Sequence, residues 1–310
     1  MEPSYLKAYK DKSLEQKINT ALAMLKSCEL CPRKCRINRL ENEKGFCQTG
    51  RHAFVASFAP HFGEEAPLVG RYGSGTIFFN GCNLMCAFCQ NHDISHEING
   101  QEIKASKLAD VMLSLQKQRV HNINFVSPSH VVPQILEALP YAIEKGLNIP
   151  LVYNSGGYDS IETLKLLDGV FDIYMPDFKF SSDLPATFYC KTPDYPVVIK
   201  SALKEMYRQV GDLVVDKNHR AVKGLIVRHL VMPEYVAGTK DAMNFLANEI
   251  SKNTYVNIMD QYHPCGNIKD FPEIARKITS EEFQEALNEA KAEGITRLDN
   301  RKRDFLFQWR

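Results

Sequence analysis

Six short apolar runs, rich in β-branched and aromatic residues and separated by amphipathic segments, constrain the fold of this chain most strongly. The runs lie at 76–80, 122–127, 150–154, 171–177, 224–232 and 255–261. Helical periodicity is found at 106–118, 131–145, 160–168, 193–210, 239–251 and 280–293. Because strands that alternate with helices form parallel sheets, we expect an α/β fold. A partial (βα)6 TIM-like barrel is favoured, although an open doubly wound sheet gives much the same linear pattern.

The composition is that of a globular protein, with 44% hydrophobic and 24% charged residues. Lysine and arginine number 38 against 37 acidic residues, so the overall basic charge typical of nucleic-acid binding is missing and we expect no nucleic-acid partner. No apolar run approaches the roughly 20 residues that a membrane span needs, so we expect no membrane partner.

The beginning of the chain, MEPSYLKAYKDKSLEQK, is polar and charged and lacks the apolar region of a secretory signal. We therefore expect a cytoplasmic protein. In a reducing compartment, clustered thiols are metal ligands or catalysts more often than disulfides. That expectation determines how the nine cysteines are interpreted.

Cys82, Cys86 and Cys89 follow the first predicted strand directly. Parallel α/β folds carry their chemistry at this end of the strands. Thiolates suit zinc and iron–sulfur centres, but a structural zinc site needs four ligands and the fourth local candidate is only His92. Three thiolates on a four-iron cluster would leave one iron open, as a reactive centre requires. The spacing therefore favours an iron–sulfur site with an open coordination position.

A second group of four cysteines, Cys28, Cys31, Cys35 and Cys47, lies in a polar segment with few apolar residues to fold around. Metal ligation would supply the missing stability, and either an iron–sulfur cluster or zinc fits four thiols. We predict two parts of the chain. Residues 1–70 form an N-terminal helix and a small cysteine-rich, metal-binding element, and residues 71–310 form the core barrel with a C-terminal extension.

The cysteine spacing, with Phe88 directly before Cys89, resembles the signature of the radical S-adenosylmethionine (SAM) enzymes. The resemblance implies that Cys82, Cys86 and Cys89 bind a [4Fe-4S] cluster whose open iron binds SAM. In that family the reduced cluster cleaves SAM to methionine and a 5′-deoxyadenosyl radical, which abstracts a hydrogen atom from the substrate. The cofactor carries the difficult chemistry, and the protein aligns and shields it.

Four segments, GCNLMCAFCQN, PDFK, VRHLVMPE and DQYHP, resemble the pyruvate formate-lyase activating enzymes. Over roughly residues 25–300 the chain is similar to the PflX-type iron–sulfur proteins related to them. The resemblance implies an oxidoreductase of anaerobic metabolism that activates a glycyl radical enzyme or another protein substrate, with a flavodoxin- or ferredoxin-type electron donor. The alternatives are radical modification of a small molecule, peptide or RNA, and a non-catalytic iron–sulfur electron-transfer protein.

The resemblance also implies roles for residues at the strand ends. Asp177 and Lys179 are expected beside SAM, His263 is expected to reach it, and Arg228 is expected to face the substrate. A buried arginine in an apolar strand is otherwise explained by a structural ion pair.

Short polar residues follow two further strands. Asn154 and Ser155 are expected to bind the cofactor ribose, with a simple strand-to-helix turn as the alternative. Many radical SAM enzymes carry Gly-Gly-Glu after the second strand, where this chain has Ser127, Ser129 and His130 in VSPSH. This departure leaves the contact to the SAM amino group unassigned.

The segment HFGEEAPLVGRYGSG, between the two cysteine groups, contains His61, Glu64 and Glu65. It is consistent with a lid, with a loop that closes the barrel, or with a charged solvated loop.

Overall fold

The structure is a computed structural model that describes residues 2–299. Its strands are β1 Ala53–His61, β2 Ser74–Phe79, β3 Gln101–Ile103, β4 Ile123–Val126, β5 Leu151–Ser155, β6 Ile173–Pro176, β7 Val214–Val215, β8 Ala221–Leu230 and β9 Tyr255–Met259. Its helices are α1 Ser4–Lys10, α2 Ser13–Ala23, α3 Ala66–Val69, α4 His92–Ser95, α5 Ala105–Lys117, α6 Val132–Glu144, α7 Ile161–Leu166, α8 Asp183–Cys190, α9 Tyr195–Val210, α10 Thr239–Phe245 and α11 Ser280–Ala292.

The six predicted strands form one parallel array in the order β2-β4-β5-β6-β8-β9. The array follows the order of the chain without reversal, whereas a doubly wound sheet reverses its strand order at a switch point. This sequential order is that of an incomplete TIM-like barrel, and it confirms the predicted fold class.

Three strands add to this array, and the sequence pattern did not reveal them. β1 runs antiparallel to β2, β3 pairs with β1, and β7 pairs with β8. β1 has several exposed positions, so it lacks the continuous apolar run of a strand covered on both faces. Because β1 precedes residue 70 and is paired with β2, the sheet extends across the predicted division of the chain into 1–70 and 71–310.

The sequence pattern did not reveal four helices, namely α1, α8 and the single-turn helices α3 and α4. The predicted segment 193–210 corresponds to α9, and a separate helix, α8, precedes it. At the beginning of the described chain, α1 buries only Tyr5 and Ala8, so its apolar periodicity is too sparse to recognise. No helix within residues 2–299 has the length and apolar character that crossing a membrane would require.

Strand alternation determines which residues face the inside of the barrel. Val152, Ile173 and Ile226 pack there with Leu68 of α3 and close the amino-terminal end of the barrel with an apolar layer. Two residues further along the strands, the same inward face carries Asn154 on β5 and Arg228 on β8. The interior therefore changes from apolar to polar toward the carboxyl ends of the strands.

The gap between the first and last strands is covered by residues 61–69, here called the closing segment. The Glu65 carboxylate accepts a hydrogen bond of 2.8 Å from Asn257 on β9, and the backbone N–H of Ala66 donates to Asp299. Glu64 is 7% exposed and Glu65 is 3% exposed. The segment is therefore a barrel-closing loop and not a solvated one.

Candidate active site

One cavity of about 590 Å³ opens at the carboxyl ends of the parallel strands. Its wall contains all of the residues that the sequence predicts for the catalytic cluster, the cofactor and the substrate, namely Cys82, Cys86, Cys89, Asn154, Ser155, Asp177, Lys179, Arg228 and His263. The closing segment contributes His61, Glu64 and Glu65 to the same wall. The sequence interpretation therefore names groups that the fold brings together, although their roles remain predictions.

The three cysteines lie on a loop that leaves β2 through Gly81. This glycine has φ +79°, and a Cβ there would lie 2.3 Å from the carbonyl oxygen of Cys47, so only glycine fits. Within the loop, the backbone N–H of Leu84 lies 3.3 Å from the Cys82 sulfur, and the Cys89 sulfur lies 3.1 Å from the Ser95 hydroxyl. Backbone and hydroxyl donors thus reach the sulfurs that are predicted to bind iron.

Cys190 is a neighbour of this loop that sequence reasoning missed. It ends α8, is fully buried, and places its sulfur 3.1 Å from that of Cys86. The two cysteines are 104 residues apart in the chain, so no local spacing could associate them. A fourth thiol therefore lies directly against a predicted cluster ligand.

The surroundings of the three loop thiols raise their pKa values. Burial raises the pKa of Cys82 to about 12. The hydrogen bond from Cys190 and burial raise the pKa of Cys86 well above its ordinary value, and burial raises the pKa of Cys89. A metal centre reverses this preference because its positive charge favours the thiolate.

The three thiols fit the predicted [4Fe-4S] cluster in number, burial and access to the cavity. Within residues 2–299, no three His, Cys, Asp or Glu side chains converge in the manner needed for one ion. A four-iron cluster makes a different demand, because each thiolate binds its own iron and the sulfurs stay further apart.

Asp177 is held between two cations. Its carboxylate accepts a hydrogen bond of 2.5 Å from Lys179 Nζ and one of 2.7 Å from Arg228 Nε. Burial raises the pKa of Asp177, but the charges and hydrogen bonds of Arg228 and Lys179 outweigh that effect and lower it below its ordinary value. Asp177 therefore remains a carboxylate that orients both cations in the cavity.

Arg228 connects three elements of the cavity wall. Besides Asp177, its guanidinium donates to the Asn154 side-chain oxygen at 2.7 Å and lies 4.0 Å from the Glu64 carboxylate. The arginine thus forms a structural ion pair and also lines the cavity, and its expected role toward a substrate stays a prediction.

Ser155 is oriented by Asp159, a second residue that sequence reasoning missed. The Ser155 hydroxyl donates to Asp159 at 2.6 Å and accepts from the N–H of Gly157 at 3.2 Å. Asp159 also accepts from Ser129 and Tyr153, and burial raises its pKa. The Ser155 hydroxyl keeps one acceptor lone pair for a ligand.

The remaining predicted positions lie at the rim or behind the wall. His263 is exposed at the cavity mouth, where its Nδ1 lies 3.5 Å from the Gln90 amide. Ser127 lines the cavity in a left-handed conformation, with φ +57°. Ser129 and His130 are instead buried away from this cavity, so Ser127 is the one polar residue among these three that could meet a ligand there.

The four N-terminal cysteines share a different, enclosed cavity of about 10 Å³. Burial raises the pKa of Cys31 to about 12 and also raises the pKa of Cys47. A Cβ at Gly45 would lie 2.9 Å from the Cys35 sulfur, so a side chain there would crowd that thiol. The predicted grouping of the four thiols around one cavity is thus present.

An incomplete α/β barrel that gathers three thiols, a lysine, an arginine and a bridging aspartate around one cavity has the framework of an enzyme site. The sequence model of the radical SAM superfamily matches residues 76–227, the segment that contains this site. The chain belongs to the radical SAM superfamily.

Two proteins of Methanocaldococcus jannaschii are similar over most of their length. Uncharacterized protein MJ0674 is 34% identical over 298 residues, which cover 92% of this chain and 80% of that protein. Uncharacterized protein MJ0808 is 26% identical over 290 residues, which cover 82% of this chain and 78% of that protein.

Two solved structures share the fold. A radical SAM methyltransferase from Sphaerobacter thermophilus aligns with a TM-score of 0.50 and 13% identity, covering 71% of this chain and 64% of that one. HydG, a maturase of the [FeFe]-hydrogenase, aligns with a TM-score of 0.50 and 12% identity, covering 73% of this chain and 50% of that one. The chain spans less than two thirds of either protein, and at this identity the likeness concerns the fold alone.

Proposed function

We propose that this radical SAM enzyme abstracts a hydrogen atom from a protein partner, in the manner of the activating enzymes of glycyl radical enzymes. The observation that carries the proposal is the single cavity that collects the three loop thiols with Asp177, Lys179 and Arg228. When bound, the reduced [4Fe-4S] cluster and SAM supply the electron and the 5′-deoxyadenosyl radical.

The residues of the chain provide binding and orientation. Lys179, held by Asp177, places a positive charge in the cavity for the carboxylate of SAM. Asn154 and Ser155 offer polar atoms at the end of β5 for the ribose hydroxyls. The exposed His263 closes over the cofactor from the rim.

Arg228 is assigned to the substrate. It lies inside the barrel on β8, where Asp177 and Asn154 fix its orientation. A guanidinium donates from a planar group of N–H bonds, which suits the carbonyl oxygens of an extended peptide. The cavity volume of about 590 Å³ is within the range of small-molecule sites, and its open mouth leaves a route for a peptide segment.

The proposed partners are a glycyl radical enzyme, or another protein substrate, and a flavodoxin- or ferredoxin-type electron donor. We also propose a second metal centre, iron–sulfur or zinc, at Cys28, Cys31, Cys35 and Cys47, because these thiols line one cavity.

The test is anaerobic incubation of the reconstituted enzyme with SAM, a reductant and pyruvate formate-lyase as the candidate partner. We expect 5′-deoxyadenosine to form together with the electron paramagnetic resonance doublet of a glycyl radical on the partner. Arg228→Gln should abolish the partner radical, whereas Arg208→Gln, which alters an exposed ion pair, should leave it unchanged.

If deoxyadenosine forms and no candidate protein acquires a radical, the assignment to glycyl radical enzymes is wrong. Modification of a small molecule, peptide or RNA then takes its place. If no deoxyadenosine forms at all, the catalytic proposal itself fails.

A further inference from the structure

The enclosed cavity of the four N-terminal cysteines contains a buried cation with an unused donor. Arg39 is 1% exposed and lines this cavity with Cys28, Cys31, Cys35 and Cys47. Its Nε donates to the Gly50 carbonyl at 3.0 Å and its Nη1 donates to the His130 carbonyl at 2.8 Å. Its Nη2 is buried without a hydrogen-bond partner.

Such an arrangement is costly unless an anion occupies the cavity. A buried guanidinium without a counter-charge is strongly destabilising, and an unmade hydrogen bond adds to the penalty. Arg39 Nη1 already lies 3.8 Å from the Cys28 sulfur. Four thiolates around an iron–sulfur cluster form a centre with net negative charge, which matches this cation. A cluster suits these thiols better than a single zinc ion, because no three such side chains within residues 2–299 converge as one ion requires.

Two residues that line the cavity of the N-terminal cysteines contact the loop of the three catalytic cysteines on both sides of Cys82. Arg33, which lines the enclosed cavity, donates from its Nε to the Asn83 carbonyl at 3.0 Å. His130, which also lines it, has its Nε2 2.9 Å from the Asn80 carbonyl. Between these two points, the carbonyl of Cys47 lies against Gly81.

Arg33 also reaches the helix that carries Cys190. Its guanidinium stacks on Phe46 at 3.7 Å and donates to the carbonyls of Lys191 and Cys190. The residues around the N-terminal cavity therefore hold both the catalytic loop and the thiol that lies against Cys86.

We propose that Cys28, Cys31, Cys35 and Cys47 bind an anionic tetrathiolate metal centre, that Arg39 balances its charge, and that the loaded centre positions the catalytic cysteine loop through Arg33 and His130. This inference rests on the second metal centre proposed above and adds Arg39 and the coupling to it. Arg39 is a positioning residue, since it would touch the ligand sulfurs and not the substrate.

The test separates the two centres by removing the catalytic one. A chain with Cys82, Cys86 and Cys89 all changed to alanine is reconstituted anaerobically and analysed for zinc, iron and sulfide. We expect about four irons with four sulfides per chain. The absence of stoichiometric metal would overturn the proposal while leaving the catalytic cluster untested by that sample.

In the same background, Arg39→Met should weaken metal retention against a chelator by about tenfold or more, because the Cys28 sulfur loses its charged neighbour. Arg39→Lys, which keeps the positive charge, should retain more metal than Arg39→Met. Arg208→Met, at an exposed ion pair, is the matched control and should retain as much metal as the chain without this substitution. Equal retention in the Arg39→Met and Arg208→Met chains would contradict the assigned role of Arg39.

The coupling between the N-terminal centre and the catalytic loop is measured in a chain that keeps Cys82, Cys86 and Cys89. Cys31→Ala should change the electron paramagnetic resonance spectrum of the reduced catalytic cluster and lower its occupancy, because Arg33 and His130 lose their fixed support. An unchanged spectrum and unchanged occupancy would show that the two elements are independent and would overturn the coupling.

Discussion

At the scale of single residues, Asp177 is the carboxylate that joins two cations of the active site. Its carboxylate contacts both Lys179 and Arg228, and all three side chains are less than one fifth exposed. Breaking a buried ion pair by removing one partner is strongly destabilising because a charge remains without compensation. The aspartate therefore serves stability as well as the site.

Asp177→Asn should lower the free energy of unfolding by about 3 kcal/mol, because two buried cations lose their shared counter-charge. The measurement is the urea unfolding midpoint. Asp168→Asn is the control, since Asp168 pairs with Arg208 at the surface. That substitution should cost about 0.5 kcal/mol, as exposed pairs do, and equal losses in the two variants would contradict the role of Asp177.

The same residue gives a pH dependence of stability. The pKa of Asp177 is lower in the folded protein than its ordinary value of 3.8. Its contribution is therefore complete above that ordinary value and is lost as the pH falls through the lowered folded pKa. Below about pH 4, the wild-type stability should fall more steeply than that of Asp177→Asn.

Cys190 gives a second residue-scale prediction. Its sulfur lies 3.1 Å from that of Cys86, so it is placed to donate an S–H bond to a cluster ligand. Hydrogen bonds to the sulfurs of a cluster raise its reduction potential. Cys190→Ala should keep the iron content and lower the potential of the catalytic cluster in a redox titration followed by electron paramagnetic resonance. Loss of iron would identify Cys190 as a ligand, and an unchanged potential would remove its assigned effect.

At the scale of elements, the critical connection is the loop that leaves β2. Gly81 and Gly169 both have positive φ, at +79° and +75°. A Cβ at Gly81 would lie 2.3 Å from the Cys47 carbonyl, whereas one at Gly169 would have no neighbour within 4 Å. The two glycines thus share backbone strain but differ in steric contact.

Gly169→Ala should cost about 1 kcal/mol from backbone strain alone. Gly81→Ala should cost roughly 2 kcal/mol more, since the added methyl also forces two backbone segments apart. Urea unfolding gives both values, and iron analysis should show reduced loading in Gly81→Ala only. Equal costs and equal loading would mean that the Cys47 contact is not important for the catalytic loop.

The elements also show what could be predicted from sequence. The six parallel strands are covered on both faces, so each is a continuous apolar run and was recognised. β1 is partly exposed, so it was not recognised from the sequence. The three-cysteine loop was found because its ligands lie within eight positions. Cys190 and Asp159 were missed because their contacts join residues distant in the chain.

At the scale of the whole molecule, the N-terminal cysteine-rich element is the part least supported by apolar packing. Its hydrophobic cluster contains Leu25, Cys28 and Leu30 as its only buried members within residues 2–299. Segments with few buried apolar contacts open more easily than the rest of a fold. The stability of this element should therefore depend on its metal.

Limited trypsin digestion tests that dependence. In metal-free protein, we expect cleavage after the exposed residues Lys34, Arg36 and Lys44 to be at least several-fold faster than in reconstituted protein. Cleavage after Lys217, exposed in the turn between β7 and β8, is the internal control and should not change. Mass spectrometry of the fragments gives both rates. Identical rates at Lys34 and Arg36 with and without metal would contradict metal-dependent folding of the element.

The central claim is that the three loop cysteines leave one iron open for SAM. Its most direct test is 5′-deoxyadenosine formation by the reconstituted protein with SAM and dithionite under anaerobic conditions. We predict deoxyadenosine from the wild type and none from Cys86→Ala, while Cys265→Ala, which alters a thiol outside the cavity wall, retains activity. A wild-type protein that carries its full iron content and produces no deoxyadenosine would contradict the claim.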